Sequence, residues 1–221
     1  MIESLSASPI HQELPASRIV PHWWWGLKRV TDIVVALTAL IVTLPASILA
    51  SIAIVFVSPG SPLFLQTRVG RDGRTFRMLK FRTMEAGAHL LHDDMRPLSE
   101  VDGPVLKIRN DPRLHAIGAI LRRTSIDELP NFVNVLLGEM SVVGPRPPLP
   151  CEVEHYDAYA MRRLTVKPGV TCLWQINGRS TVSFDRWMEL DNEYIDTWTP
   201  WSDLKIIAKT IPAVIRGNGA H

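Results

Sequence analysis

The sequence predicts a mixed α/β fold, mainly helical, joined to one membrane-embedded helix near the N-terminus. Three observations predict it. No Asp, Glu, Lys or Arg occurs from Ile33 to Thr67, a run too apolar for a soluble surface. Beyond it, FRMLKFRTM (Phe76 to Met84) alternates apolar and basic residues, as a strand does. LHAIGAILRR (Leu114 to Arg123) instead spaces its apolar residues Leu114, Ile117, Ile120 and Leu121 as a helix does.

The apolar stretch IVVALTALIVTLPASILASIAIVFV runs from Ile33 to Val57. About 25 helical residues at about 1.5 Å each reach about 37 Å, enough to cross a bilayer core. A cleaved signal peptide fits poorly, because some thirty residues precede the run and it continues past the small residues at Pro45 to Ser47. Two topologies remain, a straight span and a re-entrant helix that enters and leaves by one face. Pro45 removes a backbone donor and predicts a kink or break near the middle, with the Thr43 and Ser47 hydroxyls available to the freed carbonyls. Lys28 and Arg29 flank one end; Arg68, Arg71, Arg74, Arg77, Lys80 and Arg82 follow the other. Basic flanks prefer the cytoplasmic side, and a re-entrant helix keeps both there. Trp23, Trp24 and Trp25 suit an interfacial anchor.

The chain therefore divides into a loose tail (1–22), the membrane helix (23–62) and a cytosolic domain (63–221). Within the last, Gly87 to Pro104 reads as a polar loop with a helical turn. Ile126 to Gly138 reads as a second helix and VGPRPPLP (Val143 to Pro150) as a stiff loop. Val166 to Ser180 reads as turn, short strand and turn, and Phe184 to Tyr194 as a helix. SDLKIIAKTIPAVIRG (Ser202 to Gly217) is amphipathic and basic; it suits either the headgroup plane or a core-facing position. A net charge of +2 is too mild for a general nucleic-acid binder. Cys151 and Cys172 are the only cysteines, with no CxxC and no Cys/His cluster, which argues against a disulfide framework and a zinc site.

The chemistry concentrates in RRTSIDELPNFVNVLLGEMSVVGPRP, Arg122 to Pro147. Ser125 and Glu128 match the S-x-x-E capping box, which gives them a purely structural reading. That reading leaves Asp127 unexplained, and the surrounding cations too. Arginines bind phosphate in bidentate fashion, and Arg146 between Pro145 and Pro147 sits on a backbone with little freedom. Two acids beside such a site suit Mg²⁺, which takes one or two carboxylates plus substrate phosphate oxygens. One acid is alternatively a nucleophile at phosphorus. Adjacent acids cannot flank a sugar ring, which disfavours a glycosidase pair.

With these motifs the chain resembles the bacterial sugar transferases, monotopic polyprenyl-phosphate phosphoglycosyl transferases, in their minimal form. The resemblance runs from about Lys28 to about Val214. FLQTRVG (Phe64 to Gly70), KFRTM (Lys80 to Met84), NDPRL (Asn110 to Leu114), the Arg122 to Pro147 run, VKPGVTCLWQINGRS (Val166 to Ser180) and ELDNEYI (Glu189 to Ile195) carry it. It implies transfer of sugar-1-phosphate from a UDP-sugar to undecaprenyl phosphate at the cytoplasmic face of the bacterial inner membrane, with Mg²⁺. The products are undecaprenyl-diphospho-sugar and UMP, in the first step of exopolysaccharide, O-antigen or glycoconjugate synthesis. It further implies that Asp127 is the nucleophile, forming a covalent phosphosugar, and that Glu128 ligates Mg²⁺. Lys80, Arg122 and Arg146 match basic positions near the phosphates, as does Arg179 with a role left open; Asp191 also matches a motif position of open role. The proline-broken helix is re-entrant in this family. Cys172 stands where many members have Gly, and Leu44 precedes Pro45 where some have Ser. A homodimer is neither required nor excluded by these residues, and none of them names the sugar. A non-catalytic scaffold of a polysaccharide-export complex would not need Asp127, Glu128 and Arg146 together. A lipid-phosphate phosphatase would release its product to water rather than lipid.

Overall fold

The first described element, α1 (His22–Val57), is a single 36-residue helix in a computed structural model of the chain. The structure describes residues 20–85, 87–91, 94–100, 103–106, 108, 110–176 and 183–216. Arg179 and residues 1–19 of the expected tail lie outside them. The helix is apolar and long enough to cross a membrane, with a mean hydropathy of 2.6 over its most apolar window. Pro45 sits inside the helical run rather than between two helices. The expected break is thus corrected to a proline within one continuous helix. A single proline removes one i→i−4 bond, and the turns on either side still propagate. Thr43 donates to Ala39 O (2.7 Å) and Ser51 to Ser47 O (2.8 Å), each hydroxyl returning to its own preceding turn.

Both ends of α1 are fastened to the same body. At the N-terminal end Lys28 Nζ reaches Asp203 Oδ2 (2.6 Å), Val143 O (3.0 Å) and Tyr194 OH (3.2 Å). Arg29 donates to Val135 O (2.6 Å) and Leu136 O (2.8 Å) in the last turn of the helix that ends at Leu137. Asp32 accepts from Ser141 Oγ and Val142 N, both at 2.8 Å. Toward the other end Ala50 and Ile54 pack with Phe81 and Leu121. Ser58 donates to Glu85 (3.0 Å), and the Arg82 guanidinium caps the carbonyls of Ser58 and Pro59. Between these two attachments no residue from Leu37 to Leu49 is buried, and Ile41 and Val42 are 71% and 70% exposed.

After α1 comes an antiparallel hairpin, β1 (Leu63–Val69) and β2 (Thr75–Phe81), in register Leu63↔Phe81 to Val69↔Thr75. The period of two puts Phe64, Gln66 and Arg68 on one face, opposite Lys80, Met78 and Phe76. β2 is an edge strand, and Asn134 completes it as another strand would. Its Nδ2 donates to Arg77 O (2.9 Å) and its Oδ1 accepts from Leu79 N (3.0 Å). Two short 3₁₀ turns follow, at Ala88–Leu91 and Arg96–Leu98, in the segment expected as a loop with a helical turn.

α2 (Ala116–Arg123) starts at His115, whose Nδ1 accepts from Gly118 N at 3.0 Å. The helix expected over Ile126 to Gly138 is split in two. A 3₁₀ turn occupies Ile126–Glu128, and α3 (Asn131–Leu137) begins only after Pro130. Pro130 has no N–H to continue a helix from the preceding turn and serves as an N-terminal residue instead. Gly138, at φ 84°, ends α3 in the left-handed conformation.

β3 (Ser141–Val143) pairs in parallel with β4 (Gly169–Thr171). Between them lie α4 (Pro150–Val153), α5 (Ala158–Met161) and a 3₁₀ turn at Arg162–Thr165. The strand β4 was expected; the helical turn α6 (Leu173–Ile176) after it was not. α7 (Phe184–Thr197) is capped by the Ser183 hydroxyl. α8 (Pro200–Arg216) buries Asp203 and Ile206 while Trp201, Leu204 and Ile211 stay exposed, so it is core-facing on one side and apolar on the outside too. The main core gathers Ala36, Phe76, Met78, Val135, Met140, Val142, Val143, Tyr194, Trp198 and Ile206.

Close backbone approach fixes two joints. A Cβ on Gly169 would lie 2.1 Å from Gly144 N, and one on Gly118 would lie 1.9 Å from Thr83 O. Overpacking of this kind costs about 1–3 kcal/mol. Gly169→Ala and Gly118→Ala are each expected to lower the midpoint of denaturant unfolding in detergent. Gly26→Ala, on α1 with nothing within 4 Å, is expected to leave it unchanged or raise it. A Gly118→Ala protein as stable as the parent would contradict the contact.

Candidate active site

The two adjacent acids sit on the 3₁₀ turn between α2 and α3. Ser125 leads into it at φ 57°, a conformation uncommon for a residue with a side chain, and makes no side-chain cap. The capping box expected for Ser125 and Glu128 is therefore absent. Glu128 turns instead to Lys80, whose Nζ donates to Oε1 at 2.7 Å. The left-handed residue aims the turn at the hairpin; a regular helix start at Ser125 would have spent Glu128 on its own backbone.

Cations reach this turn from four other segments. Lys80 comes from β2 and Arg68 from the same face of β1. Arg122 comes from the last turn of α2, and Arg146 from the loop after β3. Each has its own holder. Arg122 Nε donates to Thr83 Oγ1 (3.2 Å). Arg68 is buried, donating to Gln66 Oε1 through Nε (3.1 Å) and Nη2 (2.7 Å) and to Pro147 O through Nη1 (2.9 Å). Arg146 Nη1 lies 3.4 Å from Glu152 Oε2, and its guanidinium stands 5.4 Å over the Trp187 ring. Val69 N donates to Pro148 O (2.9 Å), so β1 carries the Arg146–Pro148 segment along its edge.

The electrostatics separate the two acids. Asp127 is 8% exposed. Burial pushes its pKa up to about 6; the Lys80 and Arg122 charges pull it down and the Glu128 charge pushes it up. Burial would also raise Glu128, but the Lys80 charge and hydrogen bond, with Arg146 and Arg68 behind them, outweigh it and hold Glu128 below its ordinary value. Arg68 is lowered to about 9 by burial and by Arg146, and it stays protonated at neutral pH.

Lys80, Arg122, Asp127, Glu128 and Arg146 are therefore brought together around the acid turn. Asp191 is not. It lies buried on α7, 2.8 Å from the guanidinium of Arg163, behind Arg146 and away from the acid pair. Arg68, Arg163, Glu152 and Thr83 belong to the surroundings of the site and were missed. Arg68 reads as one more basic flank until the β1 alternation places it on the Lys80 face. Arg163 and Glu152 have no local signal, because their partners are distant in sequence.

Among the described residues no group of three or more His, Cys, Asp or Glu side chains could hold a metal on its own. Glu128 keeps 32% of its side chain exposed and has only Oε1 engaged by Lys80. That donor set suits an ion that takes one or two carboxylates and completes its shell with substrate phosphates and water, which is the habit of Mg²⁺.

Comparison with known proteins identifies the family. A profile of the bacterial sugar transferase family matches residues 23–217. The galactosyl transferase CpsE of Streptococcus agalactiae is 44% identical over 200 residues, covering 87% of this chain and 43% of CpsE. The exopolysaccharide production protein ExoY of Rhizobium meliloti is 41% identical over 198 residues, covering 88% of each. The UDP-glucose:undecaprenyl-phosphate glucose-1-phosphate transferase of Escherichia coli is 40% identical over 195 residues, covering 84% of this chain and 39% of the relative. The chain thus spans less than half of CpsE and of the Escherichia coli protein and nearly all of ExoY. A match over nearly its full length, with the acid turn and its cations in place, makes the chain a member of the bacterial sugar transferase family.

Proposed function

We propose that the protein transfers sugar-1-phosphate from a UDP-sugar to undecaprenyl phosphate, giving undecaprenyl-diphospho-sugar and UMP. The carrying observation is the convergence of Lys80, Arg68, Arg122 and Arg146 on two adjacent carboxylates, one nearly buried and one reachable. Family relatives bear names for this chemistry, among them an undecaprenyl-phosphate galactose phosphotransferase of Salmonella typhimurium, 40% identical over 201 residues.

In this reading the donor's diphosphate enters among the four cations. An Asp127 carboxylate oxygen attacks the sugar-bearing phosphorus, and the P–O bond to UMP breaks with its electron pair leaving on UMP. The lipid phosphate oxygen then attacks the same phosphorus and displaces Asp127, which returns as a free carboxylate. Lys80 and the arginines stabilise the charge that develops on the leaving phosphate, and they do so from fixed positions, so little reorganisation is needed at the moment of reaction. Glu128 would hold Mg²⁺, which when bound neutralises diphosphate charge and polarises its oxygens. Lys80 then serves both acids, keeping Asp127 ionisable and Glu128 charged.

The attachment of both ends of α1 to one body supports a re-entrant placement at the cytoplasmic face of the inner membrane. A helix that crossed the bilayer would carry one of these attachments away from the domain. On this placement, tags at the two termini are both cut by protease added to inside-out membrane vesicles. Protection of the N-terminal tag alone would establish a span.

The reaction is tested by UMP release from detergent-purified protein with undecaprenyl phosphate, Mg²⁺ and a panel of UDP-sugars. Release is expected with at least one sugar, dependent on lipid, and absent in Asp127→Asn, a nearly isosteric change. Turnover by Asp127→Asn at the parent rate would remove the nucleophile assignment.

The pH dependence follows from Asp127. A pKa raised to about 6 leaves the carboxyl protonated and unable to attack below that pH, so kcat/KM is expected to rise with pH through about 6 and then level. Lys80 is the strongest of the charges lowering that value. Lys80→Met is expected to move the acid limb to higher pH as well as to slow the reaction. A limb that stays in place in that variant would mean that another group titrates there.

A further inference from the structure

We propose that Arg163 and Asp191 are positioning residues, acting through the main chain of Arg146 to hold its guanidinium where a donor phosphate binds; this rests on the reading of Arg146 given above. Arg163 is almost completely buried, with 1% of its side chain exposed. Its Nη2 donates to Arg146 O at 2.9 Å, and its Nη1 donates to Tyr156 OH at 2.7 Å. Asp191 Oδ2 lies 2.8 Å from the same Nη2 and pairs its charge with the guanidinium. The guanidinium also lies over the rings of Tyr156 (5.6 Å) and Trp187 (5.3 Å). Trp187 is also the ring over which the Arg146 guanidinium stands, at 5.4 Å.

Arg146 is therefore fixed at its backbone by Arg163 and at its side chain by Glu152 and Trp187. Pro145 and Pro147 remove most of the torsional freedom on either side. Against that stiff backbone, the carbonyl bond from Arg163 sets the orientation of the peptide plane after Arg146. A buried arginine needs a counter-charge, and among the described carboxylates Asp191 is the one at ion-pair distance from it. An arginine fork reaches two partners at once; a lysine ammonium, as a point charge, does not reproduce that geometry. Displacement of a binding group by about 1 Å can cost about 10²-fold in rate.

The test is a cycle of variants assayed as lipid-dependent UMP release with the UDP-sugar that supports turnover. Arg163→Lys keeps a cation beside Asp191 and loses the fork. The paired change Arg163→Met with Asp191→Leu removes both charges together and leaves no orphan ion. Each is combined with Arg146→Lys, and folding is followed by denaturant unfolding. The expected result is a drop in kcat/KM of about 10–100-fold in both Arg163 variants, carried mainly by kcat, with cooperative unfolding retained. In the Arg146→Lys background the further drop is expected to shrink to less than about threefold, because there is no longer a guanidinium to place. Parent activity in either folded Arg163 variant would overturn the proposal, as would losses that multiply in the Arg146→Lys background. Failure of both variants to fold would reduce the pair to a determinant of the fold. Parent activity in Arg146→Lys alone would instead remove the phosphate role of Arg146, and this proposal with it.

Discussion

Asp127 is a carboxylate placed where water cannot solvate it, and the architecture around it can be read as the means of keeping it ionisable. Its rise from 3.8 to about 6 says that burial, together with the Glu128 charge, outweighs the nearby cations. Without Lys80 and Arg122 the balance would tip further. Gathering those cations creates the opposite difficulty, since Arg68, lowered first by burial, is lowered further by the charge of Arg146. Each is therefore held by a neutral or anionic group of its own: Gln66 and Pro147 O for Arg68, Thr83 for Arg122, Glu152 for Arg146. On the proposed reading, an anionic phosphate entering the cluster would relieve that repulsion.

The same logic of two fixed points shapes α1. One attachment uses ions, with Lys28 and Asp32 reaching groups of β3, α7 and α8; the other uses apolar packing of Ala50 and Ile54. The segment between them carries large side chains that touch little else in the chain. Burying a Leu, Ile or Phe fully is worth about 1.5–3 kcal/mol. Ile41, Val42, Leu44 and Leu49, all more than half exposed, together leave several kcal/mol unclaimed by the protein itself. A bilayer would claim it, in keeping with the membrane placement proposed for α1.

Much of this was legible in the sequence, and the failures have physical causes. The apolar run, β2, α2 and α7 follow from periodicity, and the acid pair and Arg146 from residue type and spacing. The Ser125–Glu128 capping box is a correct local pattern overridden by a tertiary partner, Lys80, forty-eight residues away. The helix expected across Ile126 to Gly138 fails at Pro130 for the reason the proline itself announces. Asn134 gave no sign that its amide would stand in for a missing strand, because that role depends on the edge of β2. Arg68 was visible as a charge but not as a buried one, since burial depends on which face of a two-stranded hairpin is covered.

Asp191 shows how two acids with the same shifted value differ in kind. Burial raises both it and Asp127 to about 6. Asp127 answers to several cations on a turn next to the half-buried Glu128, a setting in which its charge can be used. Asp191 answers first to Arg163, in the interior, where no substrate reaches. A buried pair of that kind is weak evidence for stability, because well-packed apolar residues of similar volume often serve as well. What apolar residues lack is a donor for the carbonyl of Arg146. Ions at Arg163, Asp191 and Glu152, clustered behind one proline-flanked loop, are better understood as a directional support for that loop than as a contribution to the core.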